Sequence, residues 1–109
     1  MAYDEQLADQ LREIATGVPS VSEKRMFGGL AFLVNGNMAV AAGSDGLLVR
    51  FPPHRAEELL AEPHTDEFVM QSRSMKGWLR VVPTGLTTYD DVERWAEIGF
   101  SYAATLAPK

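Results

Sequence analysis

Tyr3, Leu7, Leu11 and Ile14 recur at steps of three or four residues, which places one apolar stripe along a helix. Asp4, Glu5, Asp9, Arg12 and Glu13 fall on its wet side, and Asp4 and Glu5 suit the positive end of the helix dipole. Gly17 and Pro19 end the run. The period then changes. After a charged lead-in, Glu23-Lys24-Arg25-Met26-Phe27-Gly28-Gly29, two apolar runs from Leu30 to Val34 and from Met38 to Ala42 flank Asn35-Gly36. Asn-Gly between apolar runs predicts a two-residue hairpin, because both turn residues must take positive φ. Such a turn pairs Val34 with Asn37, Leu33 with Met38 and Phe32 with Ala39. Gly43-Ser44-Asp45-Gly46 turns the chain again into Leu47 to Phe51, giving three antiparallel strands in a meander.

Pro52-Pro53 stops the third strand, since proline cannot donate to a ladder, and Pro53 can open a short helix from His54 to Ala61 that Pro63 ends. A second strand pair is predicted around Phe68 to Gln71 and Trp78 to Val82, joined by a basic, flexible connection from Ser72 to Gly77. Thr88 caps a last helix, with Asp91 as a weaker form of the capping box. Its buried stripe is Val92, Trp95, Ala96, Gly99, Ala103 and Leu106. Glycine inside a helix costs about 1 kcal/mol against alanine, so Gly99 predicts close packing on a neighbour. The reading is one α+β domain over residues 1–109, ordered α-β(3)-α-β(2)-α, with an antiparallel sheet packed by helices.

The hairpin register has a consequence for assembly. Leu33/Met38 and Ala31/Val40 are expected on one face, with Phe32/Ala39 and Leu30/Ala41 on the other. Both faces are apolar, whereas a sheet with one wet side alternates with polar residues. Long connections or a second copy of the chain could cover the second face. With only three helices to share, a homodimer is the expectation.

Composition narrows the classes. At 109 residues and 46% apolar, the chain fits one ordered core. Ten basic and fifteen acidic side chains give a net charge of −5, which disfavours non-specific attraction to phosphate backbones and anionic membranes. The charge is unevenly spread: five acids against Arg12 in residues 1–23, seven Lys/Arg against six acids in residues 24–80, four acids against two bases in residues 81–109. The segments thus carry −4, +1 and −2, and the bases gather where the strands are predicted. Absence of cysteine removes disulfides, thiolate metal sites and thiol nucleophiles. No signal peptide opens the chain and no apolar run approaches the ~20 residues of a membrane span, so a cytoplasmic location is expected.

Three stretches resemble a known family. They are Arg25-Met26-Phe27-Gly28-Gly29-Leu30-Ala31-Phe32-Leu33-Val34-Asn35-Gly36-Asn37-Met38, then Leu47-Leu48-Val49-Arg50, then Arg73-Ser74-Met75-Lys76-Gly77-Trp78-Leu79-Arg80-Val81. Together they are similar to the N-terminal domain of the TfoX/Sxy proteins, bacterial regulators linked to natural competence. The resemblance implies an α-β(3)-α-β(2)-α fold of the secretion-chaperone-like type, whose members often dimerise. It transfers no catalytic residues, and 109 residues leave no room for the second domain of the full-length regulators.

Candidate chemistry is sparse. Gly28-Gly29 lacks the spacing of a phosphate-binding loop and precedes a strand, so a tight strand entry is the better reading. His54 and His64, with Glu57, Glu58, Glu62 and Asp66, match no metal-site spacing. No nucleophile elbow or facing carboxylate pair is present; no enzyme activity, cofactor or metal is expected. The remaining candidate is a basic, aromatic-containing surface of Arg25, Arg50, Arg73, Lys76, Trp78 and Arg80. It fits an anionic ligand or acidic protein partner, set against the plainer reading of ordinary outward residues around a core tryptophan. The expected role is a non-enzymatic binding or regulatory domain acting through protein contacts. Nucleic-acid binding is a less favoured alternative, and a small-molecule site or undetected enzyme near Met75-Lys76-Gly77-Trp78 is another.

Overall fold

A computed structural model describes residues 3–26, 28–70 and 72–109, with backbone alone at 70, 73 and 74. Helix α1 (Glu5–Ala15) begins where the Asp4 carboxylate accepts from the Gln6 and Leu7 N–H groups, and it buries Leu7, Ala8 and Leu11. Four strands follow: β1 (Val21–Met26), β2 (Gly29–Val34), β3 (Asn37–Gly43) and β4 (Gly46–Arg50). A 3-10 turn at Pro53–Arg55 leads into the short α2 (Ala56–Leu60). Strands β5 (Thr65–Met70) and β6 (Arg73–Val81) precede α3 (Tyr89–Ala104). The fold is α+β, an open antiparallel sheet in the order β1-β2-β3-β4-β6-β5.

The first strand corrects the expected order, which becomes α-β(4)-α-β(2)-α. The charged lead-in is an edge strand, pairing Lys24 with Ala31 and Arg25 with Leu30. Its charges suit that position, because charged edge strands resist pairing with other chains. The short helix is also shorter than expected. In the second strand pair, the Ser72–Gly77 connection proves to be mostly strand. β6 starts at Arg73, and its register to β5 slips between Leu79 and Ser74, leaving Met75, Lys76 and Gly77 as extra residues.

The Asn35-Gly36 reversal forms as its sequence dictates, with φ of 51° and 83°. Val34 pairs with Asn37 and Leu33 with Met38, but Phe32 pairs with Val40 rather than Ala39. One extra residue on β3, Ala39, makes a β-bulge. The bulge re-sorts the faces. Phe32/Val40 and Leu30/Ala42 share one side, and Ala31/Ala41 share the other with Leu33/Met38.

Rows of paired residues then run across the whole sheet. Glu23, Phe32, Val40, Val49, Leu79 and Glu67 form one continuous row. Its four central members are fully buried beneath the helices. Phe32 meets Phe100 of α3 edge to face at 6.5 Å. Gly99 permits the close approach its sequence position predicts. A Cβ there would lie 2.6 Å from the Ala39 carbonyl oxygen and 2.6 Å from Val40 Cγ1. α3 opens on a full capping box between Thr88 and Asp91. α2 joins the same layer, since Leu59 is buried in the core and Thr65 donates to the Glu62 carbonyl at 2.8 Å. After α3 the chain returns to the first hairpin. The Lys109 N–H donates to the Asn35 carbonyl at 2.9 Å, and the buried Asn37 amide donates to the Ala107 carbonyl at 2.8 Å.

Candidate functional site

The helices cover one side of the sheet. The residues next along each strand form a second row on the other side: Lys24, Ala31, Ala41, Leu48, Arg80 and Asp66. This open face is apolar at its centre and charged at both ends. Ala31 and Ala41 are buried by larger neighbours, while Leu33, Met38 and Leu48 are half-buried. Glycine and alanine at Gly29 and Ala41 leave a dent rimmed by Met26, Leu48, Phe68 and Arg80. At about 120 Å³ it is smaller than the roughly 300 Å³ lower bound of ligand pockets, so it suits one protruding side chain.

Arg80 and Asp66 close one end of this row. The Arg80 guanidinium binds Asp45 at 2.6 Å and lies 3.6 Å from Asp66, which neutralises it. Its Nε is buried with no hydrogen-bond partner among the described residues. A buried donor left unpaired costs about 1–3 kcal/mol.

The sequence-derived surface is only partly assembled. Arg50 and Trp78 are register partners, with the guanidinium 5.3 Å from the indole centroid. The same guanidinium lies 6.0 Å from the Tyr102 ring and donates to the Met38 carbonyl at 3.4 Å. Arg50 is therefore largely engaged within the fold, and Trp78 is half-buried beside it. Lys76 is exposed in the extra loop of β6, next to Met75, whose side chain is 38% exposed. Arg25 stands apart, at the far edge strand and on the helix side with its partner Leu30. The Arg73 side chain lies outside the described residues.

The other candidates fall into structural roles. His64 takes φ 68° and its Nδ1 lies 2.9 Å from the Thr84 hydroxyl. Of the acids near it in sequence, Glu62 pairs with Arg94, Glu58 with Arg55 at 2.9 Å, and Asp66 with Arg80. Arg55 holds the Glu58 carboxyl below its ordinary range. Among the described residues no group of three or more acids and histidines converges as a metal site. Gly28, at φ 74°, sits in the reversal from β1 to β2. No helix of the described residues is long and apolar enough to cross a membrane.

Sequence reasoning missed Met26, Leu48 and Phe68 as surface residues of interest. Leu48 was readable only as an alternate position of an apolar strand, and the bulge at Ala39 hid which face it shared.

Sheet and surface together define an α+β domain with one helix-covered face and one face that no helix covers among the described residues. The sequence model of the TfoX N-terminal domain matches residues 12–103, most of the chain. The chain belongs to the TfoX N-terminal domain family. No curated protein and no solved structure matches it.

Proposed function

We propose that this chain is a non-enzymatic, cytoplasmic binding or regulatory module that works through protein contacts, and that its first partner is a second copy of itself. One observation carries the reading: among the described residues, no helix packs over the open face, whose centre is Ala31, Ala41, Leu33, Met38 and Leu48. Six strands about 4.8 Å apart and about five residues long give roughly 500 Å² on each copy, about 1,000 Å² in all, at the lower bound of a specific interface. Two such sheets stack face to face about 10 Å apart.

Size-exclusion chromatography with light scattering tests this directly. Twice the 12.0 kDa of one chain is expected, with Leu48→Arg giving the single mass while keeping its helical circular dichroism. A single-chain mass for the wild type at micromolar concentration would sink the homodimer. Duplex DNA binding that falls steeply with salt and is lost in Lys76→Ala would shift the reading to nucleic-acid recognition.

A further inference from the structure

A second concave surface lies on the helix layer, independent of the open sheet face. Along one side of α3, Tyr89, Glu93, Glu97, Ser101 and Ala104 follow at steps of three or four residues. They face the end of α1 and the segment leading to β1, and the groove between them has a volume of about 540 Å³. Its floor is apolar, from Ile14, Val18 and Phe100, and its rim is acidic, from Glu13, Glu93 and Glu97.

The basic residues of this layer are committed elsewhere. Arg12 holds Asp9 at 2.9 Å and Glu23 at 3.0 Å. Arg94 pairs with Glu62 and lies 4.6 Å from the Trp95 ring centroid. Among the described residues, none of the three rim carboxylates makes an ion pair. The negative field is felt locally. Partial burial, then the charges of Glu13 and Glu93, push the Tyr89 phenol above its ordinary pKa.

We infer that this groove docks a cationic amphipathic helix from another protein, its apolar side on Ile14, Val18 and Phe100 and its Lys or Arg residues against Glu13, Glu93 and Glu97. Charge complementarity selects the occupant. An acidic rim repels nucleic acid and anionic surfaces, and it repels the equally acidic helix layer of a second copy. A small polycation would meet the rim and leave the apolar floor wet. The sixteen residues of α3 span about 24 Å, enough to seat four turns of a helix whose contacts recur every three or four residues.

The test is a titration of the full chain with a labelled helix-forming peptide of about sixteen residues, leucine on one side and lysine on the other. A counterpart with glutamate for lysine serves as the control. Fluorescence anisotropy should show binding of the lysine peptide only, with amide NMR shifts centred on residues 13–19 and 89–104. The double variant Glu93→Lys, Glu97→Lys should lose about tenfold in affinity, and Glu5→Lys should lose little. Ser101→Trp fills the groove without changing charge and should weaken binding as well, which separates docking from general attraction to an acidic protein. Leu48→Arg should leave peptide binding intact, so failure of the open-face reading and failure of this one are distinguishable. No binding at low salt, equal binding of the glutamate peptide, shifts centred on the sheet, or full competition by spermine would each overturn the proposal.

Discussion

The row Glu23–Phe32–Val40–Val49–Leu79–Glu67 and the row Lys24–Ala31–Ala41–Leu48–Arg80–Asp66 use adjacent residues of the same six strands. Both end in charge at the sheet edges, and both are apolar in between. They differ in bulk. The covered row places phenylalanine, leucine and two valines in the core beneath the helix layer, where their methyl and ring groups fill the space between layers. The open row has two alanines and a leucine, with no helix packed over them among the described residues. Side-chain volume thus tracks what lies above it: large groups where this chain supplies the covering layer, small ones where the surface stays available. Hydrophobicity alone does not distinguish the two rows. Volume does.

Three substitutions break or sharpen that contrast. Phe32→Ala removes the ring that packs on Phe100 and should cost about 3–5 kcal/mol in urea unfolding. A cost under about 1 kcal/mol would mean the two layers are loosely joined. Gly99→Ala comes next. Alanine is the better helix former by about 1 kcal/mol, but its methyl would meet the Ala39 carbonyl, so a net loss of about 1–3 kcal/mol is expected. A raised unfolding midpoint would show that α3 can lift off the bulge. Leu48→Ala should be the mildest, about 1 kcal/mol or less in dilute protein, because that side chain is already partly exposed. A cost near that of Phe32→Ala would show that the open face is covered after all.

Much of this arrangement is legible in the residues, and the exceptions share a cause. Asn35-Gly36 announces its hairpin because only a few residues tolerate two consecutive positive φ values. Thr88 and Asp91 announce the start of α3 because capping demands those side chains at that spacing. The Ala39 bulge leaves no such mark. Apolar residues occupy both faces of β2 and β3, so alternation holds no parity signal that an extra residue could interrupt. β1 reads as a loop because Ser22 to Arg25 are polar throughout, the composition an edge strand uses to stay unpaired. The candidate surface was legible where neighbours in register bring residues together, as with Arg50 and Trp78. It failed for Arg25, whose place follows from the unrecognised strand. The acidic groove was hidden in plain helix faces. Only the four-residue spacing of Tyr89, Glu93 and Glu97, set against Glu13 of another helix, distinguishes it from ordinary solvated carboxylates.

The strap from Ala107 to Lys109 joins the two ends of the folding problem. By gripping Asn35 and Asn37 it makes the β2–β3 reversal depend on residues about seventy positions further along the chain. Deleting residues 107–109 would strip the Asn37 amide of its acceptor. The damage would register about seventy positions upstream, as faster deuterium uptake at the hairpin tip, while the helices kept their protection.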